Sequence, residues 1–103
     1  MRKYIVGNWK MNGTSAELAD IASIADAAKA FASVDSALCL PATLIARASA
    51  QLPHFVIGAQ DCHAAVSGAH TGCVSGAMLT DAGATLTIVG HSERRAAQNE
   101  KDA

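Results

Sequence analysis

The sequence predicts an α/β fold built on a parallel sheet, and two observations support that prediction. Short apolar runs alternate with longer segments in the order strand, helix, strand, helix, strand, loop, helix, strand, helix. The runs are almost continuously apolar, which is typical of strands that are buried on both faces. Units that alternate in this way form parallel sheets with right-handed crossovers.

Four strands are predicted, over residues 3–6, 36–40, 55–59 and 86–89. Pro41 follows the second strand and Gly90 follows the fourth, and both residue types interrupt regular structure. The connection after the third strand, residues 60–75, is long. Connections of more than about 12 residues usually carry a function, so we expect a functional or interaction loop there.

Four helices are predicted from caps and periodicity. Thr14 and Glu17 have the spacing of a capping box, and apolar residues then recur at helical spacing up to about Phe31. Ser75 is a suitable cap for the third helix and Gly83 for its end. The second, third and fourth helices are predicted over residues 42–51, 77–81 and 92–101.

Composition and charge exclude several classes of function. Of the 103 residues, 50% are hydrophobic and 17% are charged, against about 45–50% and about 25% in typical domains. This excess predicts surface that something else covers. The net charge of −1 and the absence of a basic stripe argue against a nucleic-acid or membrane-surface partner.

Localisation follows from the apolar runs and the cysteines. No apolar run approaches the ~20 residues of a membrane span, and the first one is too short for a secretory signal. The 3 cysteines lack Cys-x-x-Cys spacing. The sequence therefore does not predict a disulfide framework, and it predicts a cytoplasmic location.

Polar residues follow three of the four predicted strands. Because the carboxyl ends of parallel strands open on one face, these side chains would share one rim. Their convergence predicts a functional site but not a particular reaction. They are Asn8 and Lys10 after the first strand, Gln60, Asp61 and His63 after the third, and His91, Ser92 and Glu93 after the fourth.

Several of these residues have more than one interpretation. Lys10 is a flexible point charge suited to an anion or a phosphate ester, and it is equally compatible with an ordinary surface lysine. Asn8 orients Lys10 or forms an Asx turn after the strand. Trp9 is expected to be a packed aromatic residue. His91 opens a helix, whose positive end disfavours a cationic imidazole, so it acts as a neutral hydrogen-bond donor to an oxyanion or as a polar cap. Glu93 is a favourable first-turn acid, a partner for Lys10, or both.

No metal or cofactor is predicted. Cys62-His63 and His70-x-x-Cys73 contain zinc-ligand types, but the two pairs have unlike spacing and the first pair is adjacent in sequence. The glycine-rich motifs that bind nucleotides are absent from the sequence, and no Ser or Cys nucleophile motif is present.

Several segments resemble the triosephosphate isomerase family. Residues 7–13, Gly-Asn-Trp-Lys-Met-Asn-Gly, are similar to the family signature after the first strand, and residues 88–95, Ile-Val-Gly-His-Ser-Glu-Arg-Arg, to the segment after the fourth. Residues 58–61, 68–72 and 75–84 also match, in order and at suitable intervals. The resemblance covers essentially the whole chain.

The resemblance implies a homodimeric (β/α)₈ TIM barrel, with residues 1–103 as the N-terminal part of one barrel domain and its first four β/α units. It implies interconversion of dihydroxyacetone phosphate and glyceraldehyde 3-phosphate by enediol(ate) proton transfer, without a cofactor, in glycolysis and gluconeogenesis. Lys10 and Asn8 would contact the substrate. His91 would be the neutral electrophile that is a known feature of this family, and Glu93 would support the site through a network with Lys10.

The resemblance also implies a dimer interface and one departure from it. Residues 60–75 would form the loop that docks into the partner subunit, with Thr71 at its tip. Cys73 stands where the family normally has an acidic residue that pairs with Arg94. We expect a weaker or altered dimer, unless Arg94 finds another partner or water.

The second departure is length. A full barrel runs to about 250 residues, and no residue here matches the family's catalytic glutamate, lid or phosphate-binding loops. The expectation is that the 103-residue polypeptide alone has negligible isomerase activity, with open edges on strands one and four. The alternatives are a stand-alone α/β module that binds a partner or a small anion, and an inert fragment.

Overall fold

The computed structural model describes residues 3–31 and 33–89, which alternate between strands and helices as predicted. The predicted fourth helix, residues 92–101, lies outside the described residues. In chain order the elements are β1 (Lys3–Asn8), a 3₁₀ turn (Ser15–Glu17), α1 (Leu18–Ala28), β2 (Val34–Leu40), α2 (Ala42–Gln51), β3 (Val56–Ala59), α3 (Gly76–Ala82) and β4 (Leu86–Thr87).

The four strands form one parallel sheet in the order β1-β2-β3-β4, so neighbours in the chain are also neighbours in the sheet. Asn8 pairs with Cys39, Leu40 pairs with Ala59, and Ala59 pairs with Thr87. All four strands therefore end close together, and we call this side the carboxyl edge of the sheet. The predicted parallel sheet is confirmed.

Strand bounds differ from the predicted ones where pairing extends or ends a strand. β1 continues beyond Val6 through Asn8, because Gly7 and Asn8 pair with Leu38 and Cys39 of β2. β2 begins two residues earlier than predicted for the same reason, and β4 ends at Thr87 instead of residue 89. Pairing with a neighbouring strand, which local sequence does not encode, sets these limits.

The first helix is shorter than predicted. It ends at Ala28, and the chain then makes a tight turn in which the amide of Phe31 donates to the Ala28 carbonyl at 3.1 Å. The predicted capping box at its start is present. The Glu17 carboxylate accepts from the backbone amide of Thr14 at 2.5 Å and from its hydroxyl at 3.0 Å. These two hydrogen bonds lower the pKa of Glu17.

The helix α3 has both predicted caps. Ser75 Oγ accepts from the amide of Met78 at 3.2 Å, and Gly83 ends the helix with φ +112°. A Cβ at Gly83 would overlap Ser49 Oγ on α2. The position thus needs glycine for its left-handed backbone and for its contact with α2.

The core lies between the helices and one face of the sheet. Residues that alternate along β2 and β3 supply the sheet side of this core, and α1, α2 and α3 cover it. The buried cluster consists of Leu18, Ile21, Leu38, Leu40, Leu44, Ile45, Ala48, Ile57, Ala59, Leu79 and Ala84.

The opposite face of the sheet is packed only in part. Cys39 is fully buried there, and a Cβ at Gly58 would lie 2.8 Å from its Sγ and 2.5 Å from Leu86 Cδ1. Gly58 therefore lets side chains of β2 and β4 meet across β3. Tyr4 and Val6 of the outer strand β1 are by contrast 52% and 42% exposed.

No helix in the described residues has the length and apolar character needed to cross a membrane.

Candidate functional site

Asn8 and Lys10 lie where the chain leaves β1 at the carboxyl edge. Asn8 Oδ1 accepts from the backbone amide of Lys10 at 2.8 Å, which confirms an Asx-type turn after the strand. Trp9 packs against the core, as expected, and its amide donates to the Cys39 carbonyl at 2.9 Å. The start of this loop is therefore held by β2 as well as by its own side chains.

Lys10 has a left-handed backbone, with φ +56°. No other non-glycine residue among residues 3–31 and 33–89 has a positive φ. Such a conformation typically costs of order 1–3 kcal/mol and persists when surrounding contacts determine it. Backbone strain of this kind clusters at active sites and ligand-binding sites. The strained residue here is the lysine that the sequence placed on the rim.

Gln60 supplies contacts that hold this conformation. Its Nε2 donates to the Lys10 carbonyl at 2.8 Å, to Asn8 Oδ1 at 3.2 Å and to the Cys39 carbonyl at 3.4 Å. One amide group thus joins the end of β3 to the ends of β1 and β2. The sequence placed Gln60 on the rim but gave it no role, because its partners are 21 to 52 residues away.

The fourth strand brings the chain to the same edge. The Ile88 amide donates to the Ala59 carbonyl at 3.0 Å, beside Gln60, and Val89 is the last described residue. The predicted site residues His91 and Glu93 lie outside the described residues, as does Arg94. Their predicted proximity to Lys10 and Cys73 remains a prediction.

Two histidines brace the loop formed by residues 60–75. The rings of His63 and His70 lie 4.0 Å apart at 30°, and His63 Nδ1 accepts from the Ala65 amide at 2.9 Å. The amide of His63 also donates to the Val74 carbonyl at 2.9 Å, which closes the base of the loop. The sequence predicted His63 on the rim and offered both histidines as metal-ligand types, but their stacking was not predicted.

The tip of this loop is exposed. Thr71 and Cys73 are both exposed, and Val66 presents 74% of its surface. In the described ranges no three His, Cys, Asp or Glu side chains come together as a metal site.

A cleft of about 430 Å³ lies at the edge of the sheet opposite the carboxyl edge, at the amino ends of β2 and β3. It is lined by the end of α1 and the connection from α2 to β3, with Lys29, Asp35 and His54 among its residues. None of the rim residues that the structure describes lines it. We place the site at the carboxyl edge, because the strained lysine and the converging polar groups are there.

Sequential parallel strands with crossover helices and a polar carboxyl edge define a β/α-barrel type of enzyme scaffold, of which the described residues form four strands and three crossover helices. The family model described as triosephosphate isomerase matches residues 3–103. The chain belongs to the triosephosphate isomerase family.

Individual relatives agree with the family match. The chain is 54% identical over 102 residues to a triosephosphate isomerase of Ruegeria sp. (strain TM1040), and 55% identical over 104 residues to that of Ruegeria pomeroyi. Each alignment covers 99% of this chain and 41% of the relative. The chain thus spans about two fifths of the length of these curated relatives.

A solved structure supports the fold. The crystal structure of triosephosphate isomerase from Bartonella henselae superimposes with a TM-score of 0.92 at 41% sequence identity. The match covers 98% of this chain and 43% of that one. The predicted class, the first four β/α units of a TIM barrel, is confirmed.

Proposed function

We propose that this chain is the amino-terminal part of a cytoplasmic triosephosphate isomerase that interconverts dihydroxyacetone phosphate and glyceraldehyde 3-phosphate without a cofactor, in glycolysis and gluconeogenesis. The observation that carries the proposal is the backbone of Lys10. It is held in a left-handed conformation at the carboxyl edge by Asn8 and Gln60. A site that binds a phosphate ester needs a positive charge at a defined place, and a strained lysine at this edge provides it.

The proposed chemistry divides between charge and proton transfer. Lys10 balances the negative charge of the substrate, and Asn8 contacts the substrate beside it. His91, as a neutral imidazole, donates a hydrogen bond to the carbonyl oxygen as that oxygen becomes an enediolate, and Glu93 orients Lys10. A base must remove the proton from carbon. No residue of this chain matches the family's catalytic glutamate, so the base would come from the region of the relatives that this chain does not cover.

We further propose that the partner is a second copy of this protein. Support comes from the 60–75 loop, whose tip exposes Thr71, Val66 and Cys73. Met11, on the loop after β1, is 95% exposed. Exposed apolar side chains on two loops of the same edge are suited to a protein interface. Arg94 is proposed to lie at this interface with Cys73.

The test supplies the missing part of the barrel from a relative. We define the completed barrel as this chain fused after Ala103 to the region of the Ruegeria sp. (strain TM1040) enzyme that follows the aligned segment. We expect the completed barrel to turn over glyceraldehyde 3-phosphate, and the 103-residue chain alone to have negligible activity. Loss of the general base alone typically lowers the reaction rate by about 10²–10⁴-fold.

Replacing Lys10 tests the residue that carries the proposal. In the completed barrel, Lys10→Ala should lower kcat/KM by about 10²-fold or more, because the substrate loses its charge partner. Lys29→Ala is the matched control, since Lys29 is an exposed lysine paired with Asp26 on α1. A folded completed barrel without turnover, or equal effects of the two substitutions, would contradict the proposal.

A further inference from the structure

We infer that Gln60 is a positioning residue for this site, whose side-chain amide sets the backbone conformation of Lys10. The inference rests on the proposed function for the role of Lys10. It goes beyond that function by identifying the residue that determines where the lysine side chain leaves the backbone.

The hydrogen-bond pattern determines which way the Gln60 amide faces. Asn8 Oδ1 already accepts from the Lys10 amide, so this atom is an oxygen. The Gln60 atom that contacts it also contacts the carbonyl oxygens of Lys10 and Cys39. Only the NH₂ group of a glutamine can face three acceptors, and its two hydrogens are shared among them.

The shortest of these contacts couples Gln60 to the conformation of Lys10. Gln60 Nε2 lies 2.8 Å from the Lys10 carbonyl oxygen, and φ of Lys10 is +56°. If Lys10 relaxed to a negative φ, its peptide group would rotate and its carbonyl would leave Gln60. Loss of the hydrogen bond and loss of the left-handed backbone therefore accompany each other. Gln60 supplies the tertiary contact that stabilises the strained conformation of Lys10.

Gln60 is also suited to this role by its length and neutrality. It follows β3 directly and reaches across β2 to the loop after β1, a span that the unbranched side chain covers. A carboxylate there would repel three oxygens. A cationic side chain would place a second charge beside Lys10 and compete with it for the anion. A neutral donor holds the lysine without altering the charge of the site.

The test compares two substitutions. Gln60→Met keeps the length of the side chain and removes its hydrogen-bond donors, whereas Gln60→Glu puts an accepting oxygen in place of the donating NH₂ group. In the completed barrel, Gln60→Met should lower kcat/KM by about 10–100-fold with a raised KM, because Lys10 is misplaced. Gln60→Glu should have the larger effect. Ala48→Gly, in the middle of α2 and away from the rim, should lower Tm without changing KM.

A double-mutant cycle separates positioning from general stability. If Gln60 acts through Lys10, Gln60→Met should change kcat/KM by less than about threefold in a Lys10→Ala background. Equal effects of Gln60→Met with and without Lys10, or no effect in either background, would overturn the inference.

A crystal structure of the Gln60→Met completed barrel gives an answer that does not depend on turnover. Lys10 should leave the left-handed region in the variant and occupy it in the parent. If φ of Lys10 stays positive without Gln60, the inference is wrong even where the isomerase activity is confirmed. Absence of turnover in the parent would count against the proposed function alone.

Discussion

Cys39 and Cys73 place the same side chain in opposite environments. Cys39 is fully buried in the sheet, and burial raises the pKa of its thiol, whereas Cys73 is exposed on the 60–75 loop. Because the thiolate is the reactive species, burial protects Cys39 both by access and by protonation. The two cysteines should therefore differ in chemical reactivity.

We expect iodoacetamide at neutral pH to modify Cys73 at least about tenfold faster than Cys39 in the folded chain. Peptide mapping by mass spectrometry measures both rates in one sample. Concentrated guanidinium should make the rates similar, and Cys73→Ser should remove the fast phase. Equal rates in the folded chain would show that the sheet does not protect Cys39.

At the scale of a single element, α3 shows how a local stop signal also serves tertiary packing. Gly83 ends the helix with a left-handed backbone, and its Cα faces Ser49 of α2 without room for a Cβ. Gly72 of the 60–75 loop also has a positive φ, +90°, but a Cβ there would meet nothing within 4 Å. The two positions separate backbone strain from steric overlap.

Gly83→Ala should lower the free energy of unfolding by about 2–4 kcal/mol, of which roughly 1–2 is backbone strain and the remainder overlap with Ser49. Gly72→Ala should cost only the backbone part, about 1–2 kcal/mol. Urea denaturation of both variants and the parent measures the difference. Equal losses would mean that α2 and α3 adjust to the added methyl group without cost.

At the scale of the whole molecule, the four units leave apolar surface that needs a cover. Tyr4, Ile5 and Val6 of β1 are each between 42% and 59% exposed, although they lie in the middle of a parallel strand. Strands of parallel sheets are normally covered on both faces. This exposed apolar surface agrees with the low share of charged residues in the sequence, 17%, and it supports the proposal that further β/α units close the barrel.

The proposed dimer yields a prediction about Cys73 at the same scale. In the completed barrel, Cys73→Glu should tighten the dimer by about fivefold or more, because it provides Arg94 with an acidic partner. Cys73→Gln, similar in length but uncharged, should not. Sedimentation equilibrium gives the dissociation constants. If Glu and Gln behave alike, or if Cys73→Glu acts equally in an Arg94→Gln background, the ion pair is not formed.

Local physical chemistry was enough for much of the fold. The capping box at Thr14, the cap at Ser75 and the stop at Gly83 depend on residues within a few positions of each other. The order of strands and helices follows from periodicity over similar distances. The sequence by itself therefore determined the α/β class, the order of the described strands and helices, and the rim on which Lys10 lies.

Only the tertiary structure decided how that rim is built. The extension of β1 to Asn8 and the left-handed backbone of Lys10 depend on pairing and contacts between different strands. The role of Gln60 depends on partners 21 to 52 residues away. Contacts at such separations form only when the chain is folded, because the strands that carry the partners must first lie side by side.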